Sequence, residues 1–278
     1  MLFDYIRVFK DAAGLTDMSL DNQDESATID AAITTTGYIY VAQKVPFTNM
    51  FMWVNTANTT TATLAIEYWD GTQWRQGVDV LDGTSSGGKT LARSGNVNFT
   101  LKDDYSWQMV ADTNDSVAPT ELQSLTIYNC YWLRISVSAN MSAGTNLKEL
   151  AYAFTSTQQL NDFDVEISGF YESFATGKTD WIPEILSASK LLVIELKKQG
   201  LIMGSGQVID LEDFYIPCTY KALEVIYFNL GPSYAEKRKV VAEEFKKSLN
   251  VQRPKIDTNA DGKLDHVESK GTPRMLSR

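Results

Sequence analysis

Ile66-Glu67-Tyr68-Trp69-Asp70-Gly71-Thr72-Gln73-Trp74 is the stretch that decides the architecture of the first half of the chain. Side chains alternate apolar and polar into Trp69, and the Asp-Gly pair can take the positive φ angles of a tight two-residue turn. A period of two interrupted by Asp-Gly reads as a β-hairpin. Working outward, residues 28–154 are rich in Thr, Val, Ile, Tyr and Trp, and Gly, Asn and Asp clusters cut them into short runs. The spacing predicts strands over 38–41, 50–55, 62–69, 73–78, 97–101, 122–128, 131–138 and 147–154. Such a series suits an antiparallel β-sandwich, jelly-roll-like in outline. Residues 82–89, with Gly83, Gly87 and Gly88, read as an exposed turn. The first 25 residues fit a short helix or an edge strand.

Composition changes near Thr155. Residues 155–159 are small and polar and read as a linker, and after Thr179 the apolar period moves from two to between three and four. A first helix is expected over 183–199, with Asp180 as its cap and Gly200 as its stop. A second is expected over 217–230, opened by Pro217 and stopped by Gly231-Pro232. A third starts at Ser233, which with Glu236 has capping-box spacing; Val241, Phe245 and Leu249 form one apolar stripe. The expected fold class is therefore multidomain α and β: a β-sandwich domain over 1–157, a small helical bundle over 158–252, and a C-terminal arm over 253–278.

The 278 residues carry a net charge of −10, which argues against general nucleic-acid binding. The charge is uneven: residues 237–278 hold 11 basic and 6 acidic side chains, leaving 14 basic and 29 acidic for residues 1–236. The C-terminal end is thus the basic arm of an acidic chain. Cys130 and Cys218 have no metal-ligand spacing and read as two buried free thiols. Asp4, Arg7 and Lys10 break the apolar start, so neither a signal segment nor a membrane span is expected, and assembly in a cytoplasm follows.

Catalytic constellations are hard to build from these residues. The single histidine, His266, sits in an Asp-rich stretch and reads as a surface residue. Asp103-Asp104 and Glu243-Glu244 are adjacent in sequence, which does not set two carboxyls on facing walls. Gly204-Ser205-Gly206 reads as a loop between helices. Trp53, Trp69, Trp74, Trp107 and Trp132 all lie in the β module, where core packing outweighs ligand stacking. The expectation is a protein that is not an enzyme.

One motif is specific. From Asp257 to Glu268 the chain reads DTNADGKLDHVE, which puts oxygen donors Asp257, Asn259, Asp261, the Lys263 carbonyl, Asp265 and Glu268 at the loop positions that ligate calcium. Gly262 supplies the bend, and an all-oxygen shell selects Ca2+ over softer metals. Arg253-Pro254 before the loop and Gly271 and Pro273 after it limit the flanking helices, so a structural ion ordering the arm is expected rather than a switching hand.

Asp210-Leu211-Glu212-Asp213-Phe214, the Pro217 helix with Tyr220-Lys221-Ala222-Leu223-Glu224-Val225-Ile226-Tyr227, the lysine-rich third helix and the Asp-rich loop together resemble head-to-tail connector (adaptor or neck) proteins of tailed bacteriophages, over roughly residues 160–278. The resemblance implies a virion structural protein that forms an oligomeric ring between the portal protein and tail or neck proteins. Genomic DNA would pass through that ring without sequence-specific binding, and no membrane would be involved. It implies location in the virion neck after assembly in the host cytoplasm. The Tyr-Trp-Asp-Gly-Thr-Gln-Trp and Trp-Leu-Arg-Ile-Ser strands resemble β-sandwich modules of phage neck, tail and baseplate proteins. The alternative is a carbohydrate-binding or adhesive module of a tail or baseplate.

Overall fold

The computed structural model describes residues 6–11, 14–24, 26–102, 106–209, 211–251, 255–259 and 261–263. They form two compact units, one from residues 1–151 with 259–263 and one from residues 152–258.

The first unit is built of two antiparallel sheets. One runs β2 (Leu15–Asp17), β1 (Arg7–Asp11), β4 (Ile39–Gln43), β11 (Tyr128–Val137), β6 (Leu64–Trp69), β7 (Trp74–Gln76), with β10 (Met109–Asp112) also paired to β11. The other runs β3 (Ile29–Asp30), β12 (Asn146–Ala151), β5 (Asn49–Thr56), β9 (Gly95–Thr100), β8 (Val78–Asp82). Trp107 touches both, its ring 5.9 Å from Tyr68 of the first sheet and 6.0 Å from Phe99 of the second. Residues 1–25, left open between helix and strand, contribute β1 and β2, with β2 at the sheet edge.

The hairpin differs from its expected form in one detail. β6 and β7 pair with Trp69 opposite Trp74, and the connection is the four residues 70–73. Gly71 takes φ +96°, while Asp70 instead uses its carboxylate, accepting from Thr72 N (2.8 Å) and Gln73 N (2.8 Å). A side-chain acceptor replaces the second positive φ.

The strand expected over 122–128 does not form until Tyr128. Residues 120–122 make a 3-10 turn after Pro119, and Leu122, Leu125 and Ile127 pack with Ala118 onto Phe9, Tyr40, Trp69 and Trp132. These apolar residues cover the outer face of the first sheet, which is why Trp132 and Leu133, on opposite faces of β11, are both fully buried. Covering that face requires a folded-over loop rather than another strand.

Small and polar residues fix the turns. Asn58, 2% exposed, bonds through Oδ1 to Thr60 N (3.0 Å), Ser142 N (3.0 Å) and Ser142 Oγ (3.2 Å), and through Nδ2 to Thr60 O (2.8 Å) and Thr90 O (3.1 Å). One buried amide thus ties three loops. Asn22, also buried, bonds both the N–H (2.6 Å) and the C=O (3.1 Å) of Leu150 in β12. Gly262 packs where a Cβ would lie 2.9 Å from Leu101 Cδ1.

The second unit is helical: α1 (Thr157–Phe163), α2 (Tyr171–Phe174), α3 (Ile182–Lys198), α4 (Glu212–Leu230) and α5 (Ala235–Val251). The expected linker is in fact the start of α1. Ser156 accepts from Gln159 N (3.2 Å) and Gln159 Oε1 accepts from Ser156 N (2.9 Å), a capping box. α3 lies within a residue of its expected span, but Trp181 rather than Asp180 stands at the N-cap; Asp180, one residue earlier, accepts from Ile182 N (3.0 Å), and at the far end Gly200 N bonds Lys197 O (3.0 Å) and Leu201 N bonds Leu196 O (3.0 Å). α4 begins five residues before Pro217, which lies inside the helix instead of opening it. Glu212 and Asp213 favour the first turn electrostatically, and Pro217 forfeits a single N–H bond. α5 starts at Ala235, behind a 3-10 turn over Pro232–Tyr234.

The core of this unit holds Trp181, Leu192, Phe214, Ala222 and Ile226. Lys178 and Glu184 form an ion pair at 2.9 Å with side chains 10% and 7% exposed, and the ammonium lies 4.9 Å from the Trp181 ring. Among the described residues no helix is long and apolar enough to cross a membrane.

Candidate functional site

In the loop proposed to hold calcium, Asp257 is fully buried and its backbone is pinned on both sides: N–H to Gln207 O (3.0 Å) and C=O from Gln207 Nε2 (2.7 Å). Asn259 and Asp261 converge. Asp261 N donates to Asn259 Oδ1 (3.1 Å), Asn259 Nδ2 donates to Asp261 Oδ2 (3.2 Å), and Lys263 N donates to Asp261 Oδ1 (2.8 Å). Gly262 has φ +82°, the bend expected at that position. Asp265 and Glu268 lie outside the described residues, as does His266. Among the described residues, no group of three or more His, Cys, Asp or Glu side chains is placed to hold a metal.

The turn-rich stretch from Asp82 extends to Thr90, and Gly83-Thr84-Ser85-Ser86-Gly87-Gly88-Lys89-Thr90 spells the GxxxxGK[ST] pattern of phosphate-binding loops, a match the turn reading passed over. The fold gives these glycines other tasks. A phosphate loop joins a strand to a helix N-terminus, but this segment joins β8 to β9. Gly87 (φ +58°) and Gly88 (φ +74°) form a two-residue hairpin turn closed by Ser86 N to Lys89 O (3.0 Å) and Lys89 N to Ser86 O (3.1 Å). A Cβ on Gly83 would lie 2.5 Å from Asn96 O, and Thr84 and Thr90 are fully buried. The pattern records a tight strand crossing.

The tryptophans mostly pack inside. Trp69, Trp107 and Trp132 are buried. Trp74 is half-buried, with the Arg134 guanidinium 4.8 Å from its ring centre and its N–H donating to Glu121 Oε1 (2.6 Å). Arg134 also lies 4.4 Å from the Tyr38 ring and pairs with Glu67 (2.7 Å) and Glu121 (3.2 Å). Trp53, in β5, is half-buried as well.

Both thiols are buried and free. Burial pushes Cys218 up to about 12 against a bond from Ser189, and burial also raises Cys130, so neither is a thiolate near neutrality. Asp103 and Asp104 lie outside the described residues; Glu244 pairs with Lys247 at 2.5 Å.

Part of the exposed apolar surface of the helical unit lies near the α4–α5 turn. Phe228 is 61% and Val240 57% exposed, and every side chain from Ala235 to Val240 is exposed. Arg238 lies over the Phe228 ring at 4.6 Å. Beneath them, Tyr227 and Tyr234 stack with rings parallel to within 1°, and the Tyr227 hydroxyl donates to Asp164. Burial works against the Asp164 anion, yet bonds from Tyr227, Glu166 N and Lys237 hold it below the usual carboxylate range. Lys237, bonded to Glu166 at 2.9 Å, is shifted upward. A cleft of about 560 Å³ beside the turn is lined by Phe170, Ser173, Phe174, Asn229, Leu230 and Tyr234.

Comparison with protein-family models, curated proteins and solved structures gives no match.

Proposed function

We propose that this chain is a virion structural protein, a head-to-tail connector that forms an oligomeric ring joining the portal to the tail or neck. The observation that carries the reading is the α4–α5 hairpin. Its end presents Phe228 and Val240 to solvent beside Lys237, Arg238 and Lys239. The order α3, α4, basic α5 and Asp-rich loop, with the charge split along the chain, supports the same reading.

In this reading the first unit is a β-sandwich of jelly-roll type that serves as a contact module, and the chain performs no catalysis. Ca2+ would be held by Asp257, Asn259, Asp261, the Lys263 carbonyl, Asp265 and Glu268, fixing the arm after α5. Portal and tail or neck proteins are the partners, and DNA passes through the ring without base contacts. The test is electron microscopy and native mass spectrometry of the purified chain, alone and mixed with a portal protein. Rings are expected; a chain that stays monomeric in both samples refutes the proposal.

A further inference from the structure

Between α3 and α4 the chain passes Gly200, Gly204 and Gly206 with a single 3-10 turn over Ser205–Gln207. Ile202, Ser205, Gln207 and Val208 are nevertheless buried, while Met203 among them is 71% exposed. Residues 255–257, which follow α5, lie against this connection and bond to it. We propose that they are a detachable strap closed over the α3–α4 connection, with the Gln207 side chain as its clasp, so that tension on the arm beyond Asp257 is passed to α4. The proposal goes beyond the ring reading and needs no ion.

At one end of the strap, Asp213 in the first turn of α4 accepts from Lys255 N (2.7 Å). At the other, Asp257 N donates to Gln207 O (3.0 Å) and Gln207 Nε2 donates to Asp257 O (2.7 Å). The oxygen of the same amide accepts from Met203 N (2.6 Å) and Gly204 N (3.2 Å). One buried side chain therefore ties the strap to two backbone groups of the connection, and the strap cannot leave without taking a partner from the group that holds that connection.

Burial sets the length of the seat. Lys255 is half-buried, Ile256 and Asp257 are fully buried, and Thr258 and Asn259 are exposed again. A docked segment this short opens by itself, at a free energy below that of unfolding the whole unit. Undocking uncovers Gln207 and Val208 and loosens the first turn of α4 through Asp213, so the strap, the connection and the helix start open together.

Trypsin reads the strap directly. Arg253 precedes Pro254, which blocks cleavage there, so the bond after Lys255 is the one tryptic site between Lys247 and Lys263. With Ile256 buried, that bond is cut from the open strap, at a rate that follows the open population. The full chain is digested in EDTA and in Ca2+ with fragments read by mass spectrometry, and hydrogen exchange follows the amides of residues 203–208. Gln207→Glu keeps the acceptor for Met203 and Gly204 but sets an oxygen against the Asp257 carbonyl; Asp213→Ala loosens the strap from the α4 side. Each variant is expected to be cut after Lys255 at least about tenfold faster than the parent chain and to exchange faster at 203–208, with cooperative melting by circular dichroism retained. The parent should be cut equally slowly with and without Ca2+. Cleavage of either folded variant at the parent rate refutes the clasp, and faster cleavage of Asp213→Ala with unchanged exchange at 203–208 refutes the coupling. A parent protected only in Ca2+ would assign the hold to the ion instead of Gln207. If one variant loses cooperative melting, the other decides.

Discussion

Replacing Asn58 with alanine should destabilise the β unit more than most single substitutions. The change deletes five hydrogen bonds, with Thr60 N, Ser142 N, Ser142 Oγ, Thr60 O and Thr90 O losing their side-chain partner. Each bond is worth about 1 kcal/mol net, and a buried group left unpaired costs about 1–3 kcal/mol. Thr60 and Ser142 are partly exposed and regain water; Thr90 is fully buried and does not. The expected loss is about 3–5 kcal/mol, a large share of the roughly 5–15 kcal/mol of a typical domain. Urea unfolding followed by tryptophan fluorescence reads it, since five of the six tryptophans lie in this unit. With a slope of about 2 kcal/mol per molar urea, the midpoint falls by about 2 M. Asn58→Asp keeps the acceptor but turns the donor toward two carbonyls into an oxygen, so it should not rescue. A midpoint shift below about 0.5 M for alanine, or full recovery with aspartate, would refute this account of the loop cluster.

Glu184→Ala leaves Lys178 buried without its carboxylate and should cost the helical unit about 3 kcal/mol in thermal denaturation, whereas the pair Lys178→Met with Glu184→Leu should recover most of it. Burial opposes the Asp70 anion, but bonds from Arg75, Gln73 N and Thr72 lower its pKa from 3.8 to about 2. The stability it adds, about 1–2 kcal/mol, is complete above pH ~4 and lost as pH falls toward ~2; Asp70→Asn should flatten acid unfolding in that window. If Ca2+ binds the 257–268 loop, calorimetry detects it in the intact chain and the melting temperature rises with the ion. Asp257→Ala or Glu268→Gln should abolish that rise.

The hairpin at Asp70-Gly71, the α3 boundaries and the Gly200 stop were legible because each is specified locally, by residues within a turn of one another. Residues 122–128 misled because Leu122, Leu125 and Ile127 have a composition that serves a strand or a cover equally well; what selects the cover is the apolar outer face of β11, far away in sequence. Ser156 and Gln159 carried a legible capping signal inside a stretch whose small polar residues look like a linker. Pro217 marked a helix without marking its start, since an internal proline is tolerated near the first turns. Part of the calcium-type loop shows its bend and converging side chains, and the pattern was complete in the sequence. The exposed Met203 and the aromatic cleft were not legible, because exposure depends on what the rest of the fold leaves uncovered.

The pairing of Asn22 with Leu150 has a consequence for how the second sheet ends. β3 covers β12 only at Asn146 and Leu147, so the outer edge of β12 would otherwise offer open backbone groups farther along. The Asn22 amide satisfies both groups of Leu150, and a side chain rather than a strand seals that margin. Such a plug denies a passing strand the backbone groups it would need to add itself to this sheet.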